Sequence, residues 1–101
     1  MIARLLALTV AAAALAVPAT SVSATGKMTC SAPQKQWKSL PSLEAKLKKE
    51  GWQVRKSKVD GGCYEVYGTD PMGNRVEAYF HPVSFKKLLV SRRGQVLYQA
   101  R

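Results

Sequence analysis

The sequence has 101 residues, 47% of them hydrophobic, enough for one small domain and no second. Its 16 lysines and arginines stand against 6 acidic residues, so the chain is basic, with a net charge of +10. A single histidine, two cysteines and no CxxC pair exclude the usual zinc-ligand patterns, and haem-attachment, glycine-rich phosphate and calcium loops are also missing from the sequence.

Met1 to Ala24 reads as a secretory signal peptide: Arg4, then an apolar run from Leu5 to Val17, then two small-x-small patterns ending at Ala19 and Ala24. The run is shorter than the roughly 18 to 20 residues of a spanning helix. Cleavage after either alanine satisfies the pattern. Taking Ala24, the domain is residues 25–101, and loss of Arg4 leaves 15 basic against 6 acidic residues, near +9. The expected location is periplasmic or secreted. There, an even cysteine count points to one disulfide, Cys30 to Cys63, which stabilises so small a core by roughly 3 to 4 kcal/mol on loop-entropy grounds.

Thr25 to Lys38 has no period and reads as an extended lead-in held by Cys30, with Trp37 packing on the domain or stacking on a ligand. Pro41 to Glu50 reads as the helix. Proline suits its first turn, Glu44 lies toward the positive end of the dipole, and Leu40, Leu43 and Leu47 form an apolar stripe. Gly51 fits a left-handed stop, with Trp52 returning onto Leu47 in a Schellman cap. Trp52 to Asp60 is then the first strand. Asp60-Gly61-Gly62 is a tight turn, Cys63 to Tyr67 and Arg75 to His81 form a hairpin around Asp70-Pro71-Met72-Gly73, and Pro82 ends it. Lys87 to Ser91 and Gln95 to Ala100 are further strands around Arg92-Arg93-Gly94.

A helix followed by turn-linked strands predicts an α+β fold, one N-terminal helix on an antiparallel sheet of about four to five strands. The expected core is Leu43, Leu47, Trp52, Val54, Tyr64, Val66, Val76, Ala78, Phe80, Leu88 and Val90. Alternation sends Glu65, Tyr67, Glu77, Tyr79 and Arg75 to the opposite face.

The GCYEVY run at Gly62 to Tyr67 and the turn and strand from Asp70 to Pro82, within a stretch from Trp37 to Val83, resemble the small secreted PepSY-like family of peptidase-propeptide type. His81-Pro82 stands where that family usually has Asp-Pro, and the tail Phe85 to Arg101 is longer than its usual ending. The resemblance implies a helix packed on an antiparallel sheet, an extracytoplasmic home, no enzymatic activity, and a regulator or inhibitor of a peptidase.

The residues themselves supply no reaction. His81 is alone at a strand end, where a structural role outweighs a general base. Glu65 and Glu77 read as members of a cross-strand lattice with Arg55 and Arg75 rather than as a catalytic pair. No cofactor or metal is expected. Two binding readings follow. The first is a protein-interaction module that docks an exported or envelope protein through an edge strand or through a face bearing Tyr67, Tyr79, Glu65, Glu77 and Arg75. In this reading the tyrosines stand free for a partner; alternatively they pair across strands or lie beneath the segment that Cys30 draws in. The second is a basic surface for anionic envelope polymers or lipid headgroups, using Lys46, Lys48, Lys49, Arg55, Lys56, Lys58, Lys86, Lys87, Arg92 and Arg93. Export argues against nucleic acid as the partner. Intact mass of the exported protein, with and without reduction and alkylation, is expected to give a chain starting near Thr25 whose thiols alkylate only after reduction. Two thiols free before reduction would exclude the bridge.

Overall fold

The computed structural model describes residues 27–101, so the expected leader at 1–24 lies outside the described residues. A 3-10 turn at Gln34–Gln36 precedes the α-helix α1 (Leu40–Lys49). Five strands follow: β1 (Gln53–Asp60), β2 (Cys63–Thr69), β3 (Arg75–Phe80), β4 (Lys87–Arg92) and β5 (Gln95–Gln99). They form one antiparallel sheet in chain order, β1-β2-β3-β4-β5, so the fold is α+β and every strand neighbours its sequence neighbour.

Local chemistry accounts for the boundaries of α1. The Ser39 side chain accepts the Ser42 N–H at 3.2 Å, a capping contact that the sequence reading passed over in favour of Pro41. At the other end Gly51 takes φ 99°, its N–H donates to the Lys48 carbonyl at 3.1 Å, and the Trp52 N–H reaches back to the Leu47 carbonyl at 3.0 Å. Those two bonds are the expected Schellman pair. Leu43 and Leu47 are fully buried, and burial of each side chain contributes about 1.5 to 3 kcal/mol. They pack with Trp52, Tyr64, Val66, Val76, Ala78, Phe80 and Val90, and Trp37, Leu40, Val54 and Phe85 flank this cluster. Trp37 is thus a packing residue: its ring meets Tyr64 edge-on at 5.7 Å and its Nε1–H donates to the Ala32 carbonyl.

Leu88 departs from the expected core. The β3–β4 pairing steps from Tyr79↔Leu89 to Phe80↔Lys87, so a β-bulge makes Leu88 the unpaired residue. It joins a second cluster on the far face, formed by Cys63, Tyr79 and Leu89 and flanked by Met28 and Cys30. The Cys30–Cys63 disulfide, with Cα atoms 5.1 Å apart, and a hydrogen bond from the Cys30 N–H to the Gly61 carbonyl at 2.8 Å hold the lead-in against that face.

β1 carries a bulge of its own, its pairing passing from Val54↔Gly68 to Lys56↔Tyr67. A Cβ at Gly68 would sit 2.2 Å from the Gln53 carbonyl oxygen, whereas one at Gly51 would meet only Pro71 at 3.5 Å. The two glycines are therefore needed for different reasons, close backbone approach and positive φ. Gly51→Ala is expected to cost about 1 kcal/mol, and Gly68→Ala about 2 to 3 kcal/mol through displaced backbone. Urea unfolding of both variants checks the order; equal costs would mean that the β1–β2 contact yields freely.

Candidate functional site

The face away from α1 was expected to be solvated, and half of it is not. Tyr79 and Glu65 are 0% exposed. Tyr79 lies in the cluster flanked by Met28 and Cys30, and its hydroxyl donates to the buried Asp60 carboxylate at 2.8 Å. Of the two readings of the tyrosine pair, Tyr79 follows the second: the disulfide draws the lead-in over it, so it does not stand free for a partner. Tyr67, two residue pairs along the ladder, stays partly exposed. Lys56 and Lys58 lie over its ring at 5.0 and 5.8 Å, an attraction between ammonium and π-cloud. Glu77 is partly exposed and pairs with Lys27 at 3.3 Å, and Arg75 is exposed. The expected lattice of Glu65 and Glu77 with Arg55 and Arg75 does not form: the carboxylates take Lys58 and Lys27 instead.

Glu65 is the costliest group on this face. Neither of its oxygens has a hydrogen-bond partner among the described residues, and Lys58 Nζ stays 3.8 Å from Oε1. Burial raises its pKa above the ordinary 4.5; the adjacent Tyr67 hydroxyl, short of hydrogen-bond geometry, and Lys58 oppose the rise, while Asp60 and Glu77 add to it. Tyr67 in turn is pushed up to about 12, by burial first and then by Glu65.

The basic residues divide into separate groups. Lys46, Lys48 and Lys49 sit in the last turn of α1, Lys46 paired with Glu50. Lys86 is exposed just before β4, and Lys87 covers the Tyr98 ring at 4.6 Å. Arg55, Arg92 and Arg93 gather with Arg75 around a cleft of about 430 Å3 at the end of the sheet remote from the disulfide. His81 is structural here: Nδ1 accepts the backbone N–H of Val83 at 3.1 Å and of Ser84 at 3.4 Å, bracing the turn into β4. Among the described residues no three His, Cys, Asp or Glu side chains are grouped to hold a metal ion.

The sequence reading missed a second recess on the α1 side. It measures about 430 Å3 and its lining includes Trp52, Met72, Val90, Leu97 and Tyr98. Beside it runs β5, exposed along its whole length. The signal was present in Val96-Leu97-Tyr98, three consecutive apolar residues on the last strand, which alternation alone would not bury.

Because the folded chain holds the Glu65 proton more tightly than the unfolded chain does, Glu65 favours folding at low pH. That contribution is lost as pH rises from about 4.5 through the raised folded-state value. Glu65→Gln is therefore expected to stabilise the protein at pH 7, on the order of 1 kcal/mol, with the gain shrinking below pH 4.5. Urea unfolding at pH 4 and pH 7 decides it, and a destabilised variant at pH 7 would show that the pairing with Lys58 outweighs burial.

No curated protein and no solved structure matches the chain. The family model described as "Peptidase propeptide and YPEB domain" matches residues 7–89, a span that contains α1, β1, β2, β3 and the first half of β4 and contains the resemblance seen from Trp37 to Val83. The chain belongs to the peptidase propeptide and YPEB domain family.

Proposed function

We propose that this domain is an exported, non-catalytic interaction module that docks on a secreted or envelope peptidase by adding one of the peptidase's strands to β5. The family description supplies the class of partner, and the disulfide fits an oxidising compartment. The observation that carries the docking site is the state of the two sheet edges. Both edge strands carry a bulge, but β1 also bears Arg55, Lys56 and Lys58, charges that discourage strand addition. β5 instead shows Val96, Leu97 and Tyr98 at 53%, 44% and 41% exposure. An incoming strand would pair its backbone with β5 and place an apolar side chain in the recess beside Trp52, Val90 and Met72. Main-chain bonds then supply affinity and the recess supplies selectivity. The buried Tyr79 takes no part, and Tyr67 stays with its two lysines.

A photo-cross-linking residue at position 97, introduced in the producing cell, is expected to capture a peptidase, and the purified protein is expected to inhibit that enzyme. Leu97→Asp with Tyr98→Asp should weaken inhibition by about tenfold or more while the melting temperature holds, since both side chains are exposed. Capture of no peptidase, equal capture from position 55 on β1, or inhibition untouched by the double variant would overturn docking through β5.

A further inference from the structure

The arginine cleft shares only Asn74 with the β5 recess, and neither the family description nor the docking reading uses it. Three chain segments build it. The β1 bulge puts Arg55 beside Lys56, on the side of the sheet facing away from α1, where strict alternation would have separated them. Arg75 opens β3, Arg92 closes β4, and Arg93 stands in the two-residue turn before β5.

Among the described residues none of these four guanidinium groups forms an ion pair. The one carboxylate lining the cleft, Glu77, is taken by Lys27 at 3.3 Å. Four exposed guanidinium groups around one cleft, with its single carboxylate already paired, make a region of positive potential that favours an anion. Arg92 is also held in place without being neutralised. Its Nη1 donates to the Asn74 side-chain oxygen at 3.1 Å, and Asn74 is itself anchored by its N–H to the Asp70 carboxylate at 2.9 Å. The turn adds a third sign. Arg93 takes φ 52° and Gly94 φ 81°, a two-residue turn in which asparagine or glycine normally fills the first place. A long charged side chain is kept in a backbone conformation that disfavours it, at the one turn facing the cleft from β4 and β5.

The geometry points to a phosphate-bearing anion as the ligand of this cleft. Guanidinium forks match carboxylate and phosphate oxygens alike. One carboxylate, however, offers a single charge and about four acceptor sites, too little for four forks. Phosphate supplies more oxygens and, as a monoester or in a polyphosphate, more charge. The phosphate could come from a soluble polymer or from a lipid headgroup, which share this chemistry.

The test uses the purified oxidised protein, with tripolyphosphate followed by calorimetry and, separately, vesicles of phosphatidylglycerol against phosphatidylcholine followed by co-sedimentation. Saturable binding is expected in at least one arm. Arg75→Gln with Arg92→Gln should weaken it about tenfold or more, and Arg92→Lys, which keeps the charge and loses the fork, by a clear if smaller factor. Removing three charges on α1 with Lys46→Gln, Lys48→Gln and Lys49→Gln should change it by about twofold at most. Binding of tripolyphosphate alone supports a soluble source, and arginine-dependent binding of phosphatidylglycerol vesicles supports a lipid one. No binding in either arm would overturn the proposal. So would losses as large in the α1 variant as in the arginine pair, because a general basic surface would then suffice.

Discussion

Cys30 is bonded to Cys63 at the head of β2, and the burial of the sheet's second face follows from that link. A single helix of ten residues can cover only one face of a five-stranded sheet. The other face would be left wet, with Tyr79 and Leu89 exposed on it. The disulfide and the Cys30 N–H bond to Gly61 bring Met28 against those side chains instead. The crossing is tight: a Cβ at Gly62 would fall 2.3 Å from the Cys30 carbonyl oxygen, so only glycine lets the lead-in pass. Polar groups are trapped along with the apolar ones. Tyr79 and Asp60 satisfy one another, while Glu65 is enclosed without a hydrogen bond and its proton affinity rises. The covered region stops short of the far end of the same face, where the four arginines stand open.

Period-two reading succeeded where the ladder is unbroken. β2 and β3 pair without a shift from Tyr64↔Phe80 to Thr69↔Arg75, and Val66, Val76, Ala78 and Phe80 fall on the α1 side as alternation requires. The helix was legible for similar reasons, since proline, the leucine stripe and Gly51 each act locally. Three register shifts mark where the reading lost its hold: in β1 after Val54, in the β3–β4 pair at Phe80, and in the β4–β5 pair after Val90. Each adds one residue and reverses the faces beyond it, and nothing in the local composition announces it except Gly68. Leu88 was assigned to the wrong cluster on this account, and Arg55 and Lys56 came to share a face.

The candidate sites were less legible than the fold because they depend on what covers a side chain rather than on which way it points. Tyr67 and Tyr79 share a face as expected, yet one is partly exposed and the other is buried, and the difference is made by Met28 and Cys30, about 50 residues before Tyr79 in the chain. The basic residues were recognised one by one. Which of them converge is a property of the bulge, the start of β3 and the last turn together, and Arg75 joined them from a different expectation altogether.

The segment beyond the family match has a physical logic of its own. The matched span ends at residue 89, inside β4, whose Leu89, Val90 and Ser91 are buried. Without a further strand, β4 would be the sheet edge, its backbone open beside side chains that the core requires. β5 pairs with it and moves the edge outward, replacing buried positions with exposed ones at Val96, Leu97 and Tyr98. The edge at β1 is guarded by a bulge and three basic side chains, whereas at β5 a bulge and Lys87 over the Tyr98 ring are the main restraints. The two edges are therefore chemically unequal, and a strand seeking backbone partners meets charge at one and apolar surface at the other. The same hairpin that creates this inequality also carries Arg92 and Arg93 to the cleft. Two surfaces of opposite character thus arise around one hairpin.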